Sequence, residues 1–95
     1  MTTQPAPSAF QVHASDNVAT LLGDAAEDAT VIIVGQGAKT ELASREKISM
    51  GHKIALANLK KETTVLKYGH DVGRTVAEIG AGRHVHTHNL KTKRW

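Results

Sequence analysis

At 95 residues and 10.2 kDa the chain is one small domain, which excludes a self-contained multidomain enzyme. Its hydrophobic residues make up 40% of the sequence, but alanine is so common among them that only 25 larger apolar side chains remain to build an interior, and with no cysteine there is no disulfide, no thiolate nucleophile and no zinc ribbon. Charge is uneven, with net −3 over residues 1–50 and net +6 over residues 51–95. The basic residues are scattered, so nucleic-acid binding is not indicated.

In chain order, Met1 to Ser8, with Pro5 and Pro7, lacks periodicity and reads as a flexible lead-in, residues 1–8. Phe10, Val12 and Ala14 alternate with Gln11 and His13, the pattern of a half-buried strand with histidine on its polar face. Asn17 to Ala29 is ambiguous: Val18, Leu21, Leu22, Ala25 and Ala29 fit helical spacing, Gly23 interrupts it, and the expectation is a short strand through Leu22 and then one helical turn. Val31 to Val34, closed by Gly35-Gln36-Gly37 and followed by Thr40 to Leu42, predicts a hairpin. Beyond it, Ala57-Asn58-Leu59 with Val65 and Ala77-Glu78-Ile79 with Val85 repeat at an offset of 20 residues. Each copy reads as strand, helical turn, strand, and two copies suit a compact pseudo-symmetric β unit better than a solenoid. No stretch reaches the roughly 20 apolar residues of a membrane span, and no charged start leads into a hydrophobic run. The expectation is a cytoplasmic protein without a membrane partner.

Five of the six histidines follow residue 51, and three stand as His84-Val85-His86-Thr87-His88, followed by Asn89. On a strand, alternate residues share a face, so these imidazoles project together. His84 and His88 would then start roughly 13 Å apart, so a pair converges on one ion more readily than all three do. Further ligands would come from His13, His52 or an acid such as Asp16. A solvated, histidine-rich strand face is the competing reading. Gly51-His52-Lys53 and Tyr68-Gly69-His70-Asp71 read as turns, and Lys67 and Tyr68 are possible ligand-facing residues. No phosphate-binding glycine loop is present.

Taken together, His13 with Asp16-Asn17-Val18-Ala19, Gly51-His52-Lys53-Ile54-Ala55-Leu56, Lys67-Tyr68-Gly69, Val72-Gly73 and His84-Val85-His86-Thr87-His88-Asn89 resemble the SAF domain of the altronate and galactarate dehydratase family, in order and over almost the whole chain. The resemblance implies a mostly β fold, a SAF-type β-clip with short helical turns over residues 9–92, and a basic tail at 93–95. It implies a lyase small subunit, inactive alone, that shares its site with a large catalytic subunit and eliminates water or sulfite from a sugar acid or sulfolactate. His13, His52 and His86 are the implied catalytic residues, and His84, His86 and His88 the implied ligands of a divalent metal, Fe(II), shared with that subunit. The ending Lys91-Thr92-Lys93-Arg94-Trp95 is similar to the small subunit of such a split lyase and suggests docking on the large one. Homo-oligomerisation is left open. Met50 and Glu62 stand where the family often has proline and glycine, which concerns turn detail. The rival reading is a free-standing SAF module that binds a carbohydrate or sugar acid without catalysis.

Overall fold

The computed structural model describes residues 6–37 and 40–92. Most of the lead-in and the tail residues Lys93, Arg94 and Trp95 lie outside them. The described residues form nine strands: β1 (Ser8–Gln11), β2 (Val18–Leu21), β3 (Thr30–Gly35), β4 (Glu41–Ala43), β5 (Lys53–Ala55), β6 (Thr64–Lys67), β7 (His70–Thr75), β8 (His84–Val85) and β9 (Leu90–Lys91). They make a six-stranded sheet ordered β4-β3-β1-β2-β5-β8 and a three-stranded sheet ordered β6-β7-β9. All pairs are antiparallel except β1 with β3. The expected β3–β4 hairpin is present.

There is no helix among the described residues, and none long and apolar enough to cross a membrane. At the three places where helical turns were expected, and at a fourth around Ile48, the chain forms equivalent loops. Ala25 bridges Ile48, and Leu59 bridges Ile79; each pair exchanges both backbone hydrogen bonds, at 2.8 and 2.9 Å in the first and 2.7 Å twice in the second. Each bridging residue is buried. Each is followed by a tight turn in which Ala29, His52, Thr63 or Arg83 donates its N–H to the carbonyl of Ala26, Ser49, Lys60 or Gly80, respectively. The third turn residue has positive φ every time: Asp28 (62°), Gly51 (85°), Glu62 (67°) and Gly82 (85°), as type II turns require. The repeat visible in the sequence is thus the second half of a four-loop pattern. Helical spacing arose because a strand residue such as Leu21 and the bridging residue four positions on, Ala25, both bury inward.

Two buried hydroxyls complete the pattern. Ser44 Oγ accepts from Ala29 N–H and donates to the Ala26 carbonyl, and Thr75 Oγ1 accepts from Thr63 N–H and donates to the Lys60 carbonyl. Each hydroxyl satisfies the turn of the partner loop, so burying it leaves no group unpaired.

Pairing registers sort the large sheet into two faces. Ala9, Ala19, Leu21, Ile33 and Ile54 share one face and form a core with Ala25, Val31, Ile48 and Leu56. On the other face Val18, Ala55 and Val85 pack with Leu59, Val65 and Ile79, against Val72 and Leu90. The alternation read in the first strand is inverted. Ala9 and Gln11 point inward and Phe10 and Val12 outward, because Gln11 Nε2 reaches the Asp16 carbonyl at 2.9 Å and β1 ends there, short of His13.

Within the four turns glycine is required at Gly82, where a Cβ would sit 2.2 Å from the Ala43 carbonyl oxygen. Gly82→Ala should therefore cost about 2 kcal/mol. Glu62→Gly removes a left-handed penalty of about 1–2 kcal/mol against glycine's entropic cost of about 0.5–1 kcal/mol, and should be neutral or slightly stabilising. Urea unfolding midpoints check both, and a strongly destabilised Glu62→Gly would contradict the turn assignment.

Candidate functional site

The positive φ of Gly51 turns the chain so that His52 arrives immediately before β5. Strand β5 pairs with β8 so that Lys53 faces Val85 and Ile54 faces His84. Continuing that antiparallel register by one residue sets His52 across from His86, and their rings stack with centroids 4.1 Å apart and 14° between planes. His84 lies beside both, 4.9 Å from His52 and 5.3 Å from His86. His52 Nδ1 and His84 Nε2 share a hydrogen bond of 2.8 Å. Ligand nitrogens of His52, His84 and His86 all fall within 4.8 Å of one another, and His86 Nδ1 is buried with no hydrogen-bond partner.

The strand expected through His88 ends at Val85. Residues 86–89 turn instead, because Asn89 holds both sides of the loop: its Oδ1 accepts from His86 N–H at 2.9 Å and its Nδ2 donates to the His84 carbonyl at 2.7 Å. That turn brings the His88 ring to 5.1 Å from His84, tilted by 44°. Glu46 supports the group from outside, its Oε2 accepting from His84 N–H at 3.1 Å.

His13 belongs to a second locus. Its Nδ1 is engaged by Ser15 Oγ at 2.7 Å, and its ring lies against Gly69. Among the described residues no hydrogen bond or ring contact joins it to the histidine stack. Asp16, considered as a ligand, is committed elsewhere. Its buried carboxylate accepts from the N–H groups of His13, Tyr68 and Gly69 at 3.1, 2.8 and 2.7 Å, tying this loop to the β6–β7 hairpin. Tyr68 and Gly69, with φ 58° and 74°, form the two-residue turn of that hairpin, shorter than the Tyr68-Gly69-His70-Asp71 turn read from the sequence, because His70 and Asp71 already belong to β7.

Two of these imidazoles are pushed toward the uncharged form. His84 is held below the usual histidine range by burial and by His52, His88 and His86, with Glu46 opposing. His86 is lowered by burial and by His52, Lys53 and His88. Lys53 is lowered by burial and then by Lys67. Neutral imidazoles keep lone pairs free for a metal, and three nitrogen donors from one chain match the protein share of an open catalytic metal site.

The residues missed from sequence are Glu46, which no motif marks, and Asn89 as the clamp of the turn. His52 was noted, but its place in the stack depends on the β5–β8 register, which no local pattern shows.

Lowered histidine values mean that the unfolded chain takes up protons at higher pH than the folded one. Stability should be full above about pH 6.5 and fall as pH drops through the lowered folded values. Thermal melts should show a lower midpoint at pH 5 than at pH 7.5, with the difference reduced in His84→Gln/His86→Gln. A pH-independent midpoint over that window would contradict the assigned shifts.

Residues 7–93 match the family described as the altronate/galactarate dehydratase SAF domain. The chain is 42% identical over 83 residues to altronate dehydratase of Escherichia coli K12, covering 87% of this chain but 16% of that protein. It is 38% identical over 90 residues to (2R)-sulfolactate sulfo-lyase subunit alpha of Chromohalobacter salexigens, covering 90% of this chain and 96% of that one. A protein of the same name from Paracoccus pantotrophus is 44% identical over 64 residues, 67% of this chain and 96% of its own.

Proposed function

Because the chain belongs to the altronate/galactarate dehydratase SAF domain family, we propose that it is the small subunit of a lyase that carries out β-elimination on a hydroxy acid, working with a larger catalytic chain. The split is supported by the relatives: the domain is a small fraction of altronate dehydratase, yet nearly the whole of a protein named subunit alpha. The observation that carries the reading is the His52, His84, His86 group, with ligand nitrogens within 4.8 Å and an unpartnered buried Nδ1 on His86.

That donor set fits a divalent ion, Fe(II) by family resemblance, held by His52, His84 and His86. When bound, such an ion supplies stabilisation of negative charge developing on an α-hydroxy acid and orients it. The protein's own residues supply the rest. Near-neutral imidazoles suit the removal of the proton α to a carboxylate and its delivery to a departing hydroxyl or sulfite. His88, at the edge of the stack, and His13, whose Nε2 is left free once Nδ1 is held by Ser15, are the groups proposed for proton handling. Lys53, beside the stack, would favour an anionic substrate. A cavity that encloses substrate and excludes water commonly needs several hundred Å³, for which a chain with 25 larger apolar residues has little material, so in this reading the large chain completes the site.

The test is co-purification of the tagged chain from its native cell, with identification of what accompanies it, followed by assay with ferrous iron. The complex should turn over a sugar acid or sulfolactate and the isolated chain should not. His86→Ala should lower the rate of the complex by about 10² or more and reduce divalent-metal binding to the small chain in calorimetry. Recovery without a lyase chain, together with sugar-acid binding, would support the free-standing binding module instead.

A further inference from the structure

Among the described residues the lysines fall into two groups. Lys47, Lys60, Lys61 and Lys91 are exposed, whereas Lys53 and Lys67 are partly buried. The second pair stands at the border of the core between the two sheets, one lysine from each sheet. Lys53 lies two residues before Ala55 on β5 and Lys67 two residues after Val65 on β6, so alternation puts each on the same face of its strand as a residue of that core. Their charges are near enough to repel: Lys67 acts on Lys53, and no carboxylate among the described residues offsets it there. Two partly desolvated ammonium groups brought together in this way cost stability unless a negative group joins them.

Further features are arranged around the pair. Thr20 is the β2 partner of Lys53, so both side chains leave the sheet on one face, and Thr20 Oγ1 is buried without a hydrogen-bond partner. A buried hydroxyl of that kind is unfavourable until an acceptor reaches it. Lys67 is held rather than free to swing: its Nζ lies over the Tyr68 ring, 4.8 Å from the centroid. Tyr68, left-handed at φ 58° though not glycine, is fixed in turn by the Asp16 carboxylate, which accepts its N–H at 2.8 Å. We propose that Lys53 and Lys67, with the Thr20 hydroxyl, form an oxyanion site at the border between the two sheets that takes the carboxylate or sulfonate of a small organic acid. An ammonium group with three donors suits a single oxyanion, and the exposed lysines supply no continuous track for a polyanion. The carbon skeleton of the ligand has apolar surface to lie on, because Phe10, 42% exposed, is the β1 partner of Thr20 on the same face. Successive residues of a strand point to opposite faces, so Lys53 leaves the chain away from His52. It still acts on His86, and the bound anion is therefore an electrostatic neighbour of the histidine group and not a ligand of its metal. The site stands on this chain's own residues and does not depend on the lyase reading.

The test is a nuclear magnetic resonance titration of the isotope-labelled full-length chain with malonate, methanesulfonate and inorganic sulfate, at an ionic strength held constant with chloride. Malonate, methanesulfonate or both should give amide shifts that saturate and centre on Thr20, Lys53 and Lys67 rather than on Lys60 and Lys61; which of the two binds assigns the site to carboxylates or to sulfonates. Lys67→Gln should weaken binding by a factor on the order of 10 and Thr20→Val by about 3, as loss of a charged and of a neutral hydrogen bond does, while Lys61→Gln should leave it unchanged. Thermal midpoints separate lost binding from lost folding: Thr20→Val removes an unpaired hydroxyl and Lys67→Gln a repelling charge, so neither should lower the midpoint. Shifts that stay linear, that spread equally over the exposed lysines, or that persist undiminished in Lys67→Gln would overturn the site. Saturation by sulfate with neither organic acid would make it a site for inorganic anions and overturn the ligand class. Because the chain is titrated by itself, failure of the two-chain reading leaves this outcome standing.

Discussion

The domain depends on one constraint: with no helix among the described residues to satisfy its backbone internally, each loop that enters the interior must find hydrogen-bond partners on another segment. It meets this by reciprocity. The loops of Ala25 and Ile48 bond to each other, as do those of Leu59 and Ile79, and cross-bonds run from Asp28 N–H to the Ser44 carbonyl and from Gly51 N–H to the Leu21 carbonyl, mirrored by Glu62 to Thr75 and Gly82 to Ala55. Four apolar side chains are thereby carried into the core by segments that are neither strand nor helix. The histidine site inherits this precision, since His52 is the residue that closes the Ile48 turn and His84 lies just past the turn that follows Ile79.

Much of this was legible in sequence, for identifiable reasons. The hairpin turn at Tyr68-Gly69 and the β3–β4 hairpin depend on residues adjacent in the chain; the β3–β4 hairpin was read correctly and the turn was located, though read two residues too long. The histidine run announced a site because three imidazoles at alternate positions are rare enough to notice. What escaped was non-local. Nothing near Phe10 says that Gln11 will bond to Asp16 and invert the buried face, and nothing near His84 says that β8 will lie beside β5 and deliver His52. The helical turns were misread because inward-pointing residues four apart look the same in a helix and in a strand followed by a bridged loop.

Electrostatically the site is a compromise between ligation and folding. Several histidines and two lysines gather where, among the described residues, Glu46 is the acid acting on the stack. Such a group tolerates little positive charge of its own, so burial and mutual repulsion push His84 and His86 toward the neutral form, available as bases or ligands. The same crowding makes an anion or a negatively charged substrate a welcome neighbour.

The position of β1 has a consequence for how the molecule fails. As an interior strand, hydrogen-bonded to β2 on one side and β3 on the other, it seals two strand borders at once. Were Ser8–Gln11 to detach, the sheet would divide into two pieces, each with a raw border of unpaired amides flanked by residues such as Leu21 and Ile33. Such borders recruit strands from other molecules, and the segment best shaped to fill the gap is the first strand of a neighbouring copy. Loss of this strand would therefore lead toward strand exchange and polymerisation rather than to a soluble, partly folded remnant.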